Sequence, residues 1–376
     1  MIIPYGRQKI FNRDKKEILK ALSGNLISSG PYVKLFERSI NNKLGSKYAS
    51  VCSSGTAAIH LALNAIDTKK GDIFILPIIN FVCASNILEQ IGAKIFYADV
   101  DPKTGQITPE SLENCIKSNR IKKLKAFFTM YLGGTPKNID KFYYLKKKYN
   151  CIFIEDACHA LGSKYYFNNK LYNVGNGKHA DISTFSLHPL KSITSGEGGL
   201  VTTNNKKFKK NLDTFRSHGI IRSKNHWLYD VLKPGLNYRL SDINCSLALS
   251  QLKNLSKIIN KRKKISNFYF KIFKNNQNIE IDKPAKNSSF HLLIARLGKT
   301  NNKYHFFKYM LKNQIYVQQH YIPIYEFKFY KKKIKKQLFP GAKYYFSKSF
   351  SLPIFYDLKL SQINLIKKIL MKYFNK

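Results

Sequence analysis

Ser183-Thr-Phe-Ser-Leu-His-Pro-Leu-Lys-Ser-Ile-Thr-Ser-Gly-Glu-Gly-Gly199 opens as an apolar strand and ends as a polar, glycine-rich loop. The apolar run starts near Ile182 and closes with Phe185 and Leu187, and the residues that follow cannot extend it as a buried strand. Lys191 therefore sits on a loop just past a strand end. A lysine held there loses solvation, so its pKa falls and its amine becomes a nucleophile for a carbonyl, as a Schiff-base lysine requires. On composition alone, a lysine in so lysine-rich a chain is a surface residue. The case for Lys191 rests on the rest of the sequence.

Working outward, short apolar runs at Tyr48–Val51, Ile73–Leu76, Lys94–Ala98, Leu124–Met130, Cys151–Ile154, Ile182–Leu187 and Leu200–Thr202 alternate with segments of helical spacing. That alternation predicts an α/β layer, a mostly parallel seven-stranded sheet between helices, with ligands bound outside the carboxyl ends of the strands. Upstream, residues 13 to 40 read as a helix, a turn at Ser29-Gly30-Pro31 and a short helix carrying Val33, Phe36 and Glu37. After residue 240 the texture changes. Ser241 is placed to cap a long helix with Leu247, Ala248, Leu252, Leu255 and Ile259 at helical spacing. A strand at His291–Leu297, a helix near 302–313, a strand at Ile315–Tyr321 and a final helix with Ile366, Ile369, Leu370 and Tyr373 on one face complete a smaller α+β unit. The expected division is a large domain over residues 1–240 and a small one over 241–376.

Three further stretches carry chemistry. In Ser53-Ser-Gly-Thr-Ala-Ala58, Gly55 and Thr56 open a helix, where backbone N–H groups and a hydroxyl bind phosphate against the helix dipole or serve as an ordinary cap. In Ile152-Phe-Ile-Glu-Asp-Ala-Cys-His159, an apolar strand ends in two carboxylates. A buried Asp156 needs a cation, and a protonated pyridine nitrogen is one; in isolation, Asp156 and His159 read instead as a helix cap and a core histidine. Phe81, in Pro77-Ile-Ile-Asn-Phe-Val82, is either core or a flat surface for an aromatic cofactor. Together, a phosphate cradle, a stacking ring, an acid and a lysine follow one another, each just past a strand, as one cofactor site requires.

Composition narrows the class. The 376 residues are 44% hydrophobic and 23% charged, as in a globular protein. No apolar run approaches a membrane span, and Met-Ile-Ile-Pro-Tyr-Gly-Arg7 lacks a basic region followed by an apolar one, so a cytoplasmic location and no membrane partner are expected. The six cysteines show no CxxC pair, which points to reduced thiols without a metal. The net charge of +43 raises a nucleic-acid partner, but only nine of the 65 basic residues are arginine. Dedicated nucleic-acid surfaces use more of it, so the surplus reads as compositional drift, and Lys331-Lys-Lys-Ile-Lys-Lys336 as a solvated face. The field still favours anionic substrates.

Ile3-Pro-Tyr5, Ser29-Gly-Pro31, Ser54-Gly-Thr56, Asp99-Val-Asp101, Glu155-Asp156, His188 to Lys191, Thr194-Ser-Gly-Glu-Gly-Gly199 and Gly235-Leu-Asn-Tyr-Arg-Leu-Ser-Asp242 match, end to end, the DegT-type sugar aminotransferases. The chain resembles that family, whose members are pyridoxal 5'-phosphate enzymes of the aspartate-aminotransferase fold, fold type I. The likeness in His159, Phe185 to Gly199, Trp227, Ser250-Gln-Leu252 and His320-Tyr-Ile-Pro-Ile-Tyr325 is greatest to the branch that aminates C4 in pseudaminic acid biosynthesis.

The resemblance implies that Lys191 bonds to the cofactor, Asp156 pairs with its pyridine nitrogen and Phe81 stacks on its ring. Gly55, Thr56 and Ser186 would hold the phosphate, with His159 beside the ring. Asn237 would reach the phosphate from a second subunit and Arg239 would approach the nucleotide sugar, making a homodimer part of the site. Tyr5, His320 and Tyr321 would stand near the sugar, and Tyr131, where relatives carry histidine, would alter hexose specificity. The implied reaction takes an amino group from L-glutamate, giving 2-oxoglutarate, to the C4 ketone of a UDP-linked 4-keto-6-deoxy amino sugar, UDP-2-acetamido-2,6-dideoxy-β-L-arabino-hex-4-ulose. Lys191 also separates the chain from related sugar dehydratases, in which histidine replaces it. The rivals are amination at C3 or C4 of another nucleotide-linked keto sugar and, more remotely, a basic nucleic-acid-binding protein on the same fold.

Overall fold

The computed structural model describes residues 2–225, 227–298 and 302–374. Its main sheet consists of β1 (Tyr48–Cys52), β2 (Ile73–Pro77), β3 (Lys94–Ala98), β4 (Ala126–Met130), β5 (Ile152–Asp156), β6 (Ile182–Ser186) and β7 (Gly199–Thr203). Their spatial order is β1-β7-β6-β5-β4-β2-β3, with β7 antiparallel to both neighbours and the other pairs parallel. All seven apolar runs read from the sequence are therefore strands of one mostly parallel sheet.

Each strand feeds both faces because successive side chains point to opposite sides. Ile75, Phe127, Phe153 and Phe185 enter one core with Phe36 and Ile40 of α2 (Pro31–Leu44). Phe74, Phe128, Ile154 and Val201 enter the other with Ala58, Leu61 and Ala62 of α3 (Gly55–Ala65). The small side chains of α3 let it lie close on the sheet, and Ser54 caps it by accepting the Ala57 N–H at 3.0 Å. With both faces covered, the carboxyl ends of the parallel strands are where a cleft can open.

A second, antiparallel sheet contains β8 (Ile279–Ile281), β9 (Leu293–Leu297) and β10 (Ser349–Leu352). Its core takes Ile265 and Tyr269, Phe306, and Ile366 and Leu370 of the last helix, together with Ile3 from the amino terminus. Two expectations change here. The long helix after Ser241 is two helices, Asp242–Lys253 and Leu255–Phe273, broken at Asn254. Ile315–Tyr321 is not a strand: it lies beside Ile3 and the outer edge of β10 and meets them only at the isolated bridges Ile3–Ile315 and Gln318–Ser351. The hairpins Lys164–Phe167 with Lys170–Asn173, and Ile220–Arg222 with Tyr229–Val231, were not anticipated.

One buried carboxylate ties distant parts of the chain together. Asp242, 0% exposed, accepts the Gly30 N–H at 2.6 Å and the Tyr32 N–H at 2.8 Å, satisfying donors that the start of α2 leaves unpaired. A Cβ at Gly30 would stand 2.8 Å from the same carboxylate, so the Ser29-Gly30-Pro31 turn fits only with glycine at its centre. Asp242→Ala is expected to lower unfolding free energy by about 2–3 kcal/mol, read as a lower urea midpoint at unchanged slope.

Candidate active site

The cleft lies where that topology puts it. A cavity of about 640 Å³ is lined by residues that follow four of the parallel strands. Ser54, Gly55 and Thr56 come after β1, Asn80 to Cys83 after β2, Asp156, Cys158 and His159 at the end of β5, and Ser186, His188 and Lys191 at the end of β6. Tyr5 enters from the amino terminus, and His291 and Gln318 to Ile322 from the second unit. Nine of the residues singled out from sequence, Tyr5, Gly55, Thr56, Phe81, Asp156, His159, Ser186, Lys191 and Tyr321, thus share one cavity with a tenth, His320.

Asp156 is 2% exposed, accepts the Cys158 N–H at 3.2 Å and has no ion-pair partner among the described residues. Burial pushes its carboxyl above the ordinary 3.8. Lys191 keeps part of its surface on the cavity, but its amine is enclosed, and burial pulls that amine below the ordinary 10.5 against the attraction of Cys158, Asp156 and Cys83. Burial also raises Cys83 to about 12, so it stays a thiol beside them. Burial thus brings the free, nucleophilic form of the lysine amine closer to reach than on an open surface.

Gly55 approaches Ser186 so closely that a Cβ would lie 2.8 Å from the serine Cβ. The first turn of α3 and the Ser186 hydroxyl therefore form one cradle, and only glycine permits it. Phe81 is 52% exposed and lines the cavity, its ring 5.8 Å from that of Tyr321.

The opposite wall is built of aromatic and imidazole rings. The Gly133 N–H donates to His159 Nδ1 at 3.4 Å, which leaves the ring proton on Nε2, 2.9 Å from the Tyr321 hydroxyl. His159 then donates to Tyr321, and the Tyr321 O–H is left to donate into the cavity. Burial, aided by nearby cations, holds His159 well below its ordinary 6.5, so it stays neutral, and burial holds the Tyr321 hydroxyl well above 10.0. His320 Nδ1 is 2.8 Å from Ser351 Oγ, and burial lowers this histidine to about 3.

Sequence reading missed His291, whose ring lies 4.1 Å from that of His159 and which lines the cavity. Its signal was a polar residue at the start of an apolar strand candidate. Tyr131 corrects an expectation: it is 1% exposed and donates to Glu155 Oε1 at 2.6 Å, so it sits in the core and does not line the cavity. Asn237 is exposed and Arg239 partly so; neither lines the cavity of its own chain.

Residues 8–370 match the DegT/DnrJ/EryC1/StrS aminotransferase family. The chain belongs to that family. It is 36% identical over 380 residues to a UDP-4-amino-4,6-dideoxy-N-acetyl-beta-L-altrosamine transaminase of Campylobacter jejuni subsp. jejuni serotype O:23/36 (strain 81-176), covering 100% of this chain and 98% of that one. Helicobacter pylori PseC, an aminotransferase involved in the biosynthesis of pseudoaminic acid, superposes with a TM-score of 0.92 at 29% identity over 100% of both chains. The PLP-form of the putative sugar aminotransferase Spr1654 of Streptococcus pneumoniae has the same fold, with a TM-score of 0.89 at 24% identity over 98% and 97% of the chains. This member of the aminotransferase family is an enzyme with the fold type I architecture expected from its sequence. No helix among the described residues is long and apolar enough to cross a membrane.

The buried lysine gives a pH test. Because its folded-state pKa is depressed, the unfolded chain binds the Lys191 proton more tightly, and wild-type stability rises with pH until both states lose the proton near 10.5. Cofactor-free Lys191→Met is expected to be more stable than wild type at neutral pH, with the difference in urea midpoint shrinking toward pH 10.5.

Proposed function

We propose that the chain transfers an amino group from L-glutamate to the C4 ketone of a UDP-linked 4-keto-6-deoxy-N-acetylhexosamine, with pyridoxal 5'-phosphate as cofactor, toward pseudaminic acid. The observation that carries the reading is a buried lysine amine and a buried carboxylate without an ion-pair partner lining the same 640 Å³ cavity as a glycine-and-hydroxyl cradle. The full-length likeness to an altrosamine transaminase supports the sugar.

The residues fit the cofactor. Asp156 is a buried carboxylate awaiting a cation, Gly55, Thr56 and Ser186 make an anion cradle at a helix start, and Phe81 offers a ring face. Bound there and held covalently by Lys191, pyridoxal 5'-phosphate supplies an electron sink that allows an amino group to be carried between an amino acid and a ketone. The chain's own part is acid–base work and positioning. Lys191 Nζ, with its lowered pKa, takes and returns the proton at the reacting carbon of donor or sugar. Tyr321 donates from the ring wall, oriented by His159, and Tyr5 and His320, with rings 5.3 Å apart, face the sugar.

We further infer a homodimer in the cytoplasm, in which Asn237 and Arg239 complete the partner's site. Support comes from their position outside the cavity of their own chain and from the exposed apolar side chains Trp227, Leu228, Tyr229, Val231 and Leu232 on the adjacent hairpin segment. The division into domains over 1–240 and 241–376 accords with the two separate sheets, though Ile3 packs into the second core.

The decisive experiment is the visible spectrum of the cofactor-loaded protein before and after L-glutamate, with Lys191→Ala alongside and the sugar product identified by NMR. The expected result is a visible band that glutamate bleaches, absent from Lys191→Ala, and a product aminated at C4. A colourless loaded wild type would refute the assignment of Lys191, and nitrogen at another ring carbon would refute the sugar. Tyr321→Phe, which removes the donor but keeps the ring, is expected to lower kcat about 10²-fold with little change in KM. His159→Gln should keep most activity, because one amide can accept from Gly133 and donate to Tyr321.

A further inference from the structure

Three arginines, Arg216, Arg262 and Arg296, carry guanidinium groups withdrawn from solvent, and two of them are neutralised. Arg216 meets Glu37 at 2.6 Å and Asp213 at 3.0 Å, and Arg296 meets Asp282 at 2.7 Å and Glu280 at 3.2 Å. For both, desolvation is outweighed by the carboxylates, and the guanidinium is held above its ordinary value. Arg262 differs. It is 3% exposed and forms no ion pair among the described residues. Its Nη1 donates to the His291 carbonyl at 2.9 Å, while Nε is buried without a hydrogen-bond partner. Burial lowers it only to about 10, so the group is charged at neutral pH.

A buried, uncompensated cation costs several kcal/mol and is ordinarily paired. The space beside it suggests the partner. Arg262 lines a small cavity with Arg7, Lys191, Thr194, Gln251 and Tyr356 in which about 10 Å³ is accessible. That is room for one water-sized atom. No aspartate or glutamate lines it; of the basic residues that do, Lys9 is paired with Asp357 at 3.0 Å, which leaves the guanidinium groups of Arg7 and Arg262 without an ion pair among the described residues.

We propose that this cavity is a binding site for a single small anionic atom, held by Arg262 on the far side of the Lys191 loop from the main cavity. The chemistry admits two sources: a free halide such as chloride, or one carboxylate oxygen of an amino acid reaching past Lys191, which lines both cavities. Only the second source rests on the transaminase reading. The anion compensates Arg262 and stiffens its hold on the His291 carbonyl, and through the close, tilted contact of the His291 and His159 rings it steadies His159.

The test is anomalous diffraction at the bromine edge from wild-type crystals grown in sodium bromide, with and without L-glutamate. It is paired with thermal unfolding as gluconate is exchanged for bromide at constant ionic strength. The expected result is an anomalous peak within hydrogen-bond reach of the Arg262 guanidinium, and a midpoint that rises with bromide in wild type but not in Arg262→Met. A peak retained under glutamate assigns the site to halide, and one displaced by glutamate assigns it to the carboxylate. Bromine-free density for a water there, or equal responses of wild type and variant, would overturn the proposal. The wild-type diffraction decides alone if Arg262→Met does not fold.

Discussion

Asp156 and the Lys191 amine are taken out of water at the ends of neighbouring strands, and most of the structure exists to hold them there. Burial opposes the charge on each, and their mutual attraction returns only part of that cost. Such a pair persists when the surroundings are over-determined. The register of β5 against β6 sets Asp156 opposite Thr184, and the Phe127 and Phe153 rings stack 4.9 Å apart on the reverse face of the sheet. The strand end also explains a division of labour. Glu155 and Asp156 are consecutive, so the pleat sends them to opposite faces. Glu155 goes into the core, where the Tyr131 hydroxyl at 2.6 Å and the Ser183 hydroxyl at 2.5 Å satisfy it, and Asp156 is left for the cavity.

The ring wall answers a different requirement. His159, His291 and His320 stand near Lys191, and the first two also near the buried Arg262; burial together with those cations holds all three below the ordinary histidine value. Neutral imidazoles and protonated tyrosines offer directed hydrogen bonds without net charge, which suits the hydroxyl groups of a sugar better than it suits a carboxylate. The cavity is thus charged where a cofactor would sit and uncharged where a sugar would. The Gly133 N–H fixes the polarity of the chain that ends at Tyr321, so a glycine backbone more than 180 residues away sets which way that hydroxyl points.

The large sheet was legible because its strands are short apolar runs separated by polar or glycine-rich stretches and by segments of helical spacing, and periodicity reports such alternation well. Gly55, Asp156 and Lys191 were legible for the same reason: each lies just beyond a run. What failed to show was anything set by long-range contact. Ile315–Tyr321 has the β-branched and aromatic content of a strand, but it touches the open edge of β10 only at the single bridge Gln318–Ser351. Tyr131 follows a strand as the cavity-lining residues do, yet its partner is a core carboxylate whose direction depends on the pleat of another strand. His291 lies far along the chain from His159 and joins the site only because the second unit packs across the cleft.

The basic composition makes sense on the same terms. Among the described residues no lysine is buried as a whole side chain, with only the amine of Lys191 enclosed, whereas Arg262 and Arg296 are, in a chain with only nine arginines among 65 basic residues. A lysine placed in a buried ion pair loses its proton more readily and cannot present a planar fork, so drift toward lysine is tolerated on the surface and resisted inside. The charge of +43 is accordingly a property of the solvated shell. The same reasoning marks Arg262 as out of the ordinary. In a chain this poor in arginine, one is buried with no carboxylate to pair with, next to the cavity of the reactive lysine. A permanently charged group kept in such a place is most simply explained by a negative partner that is not part of the chain.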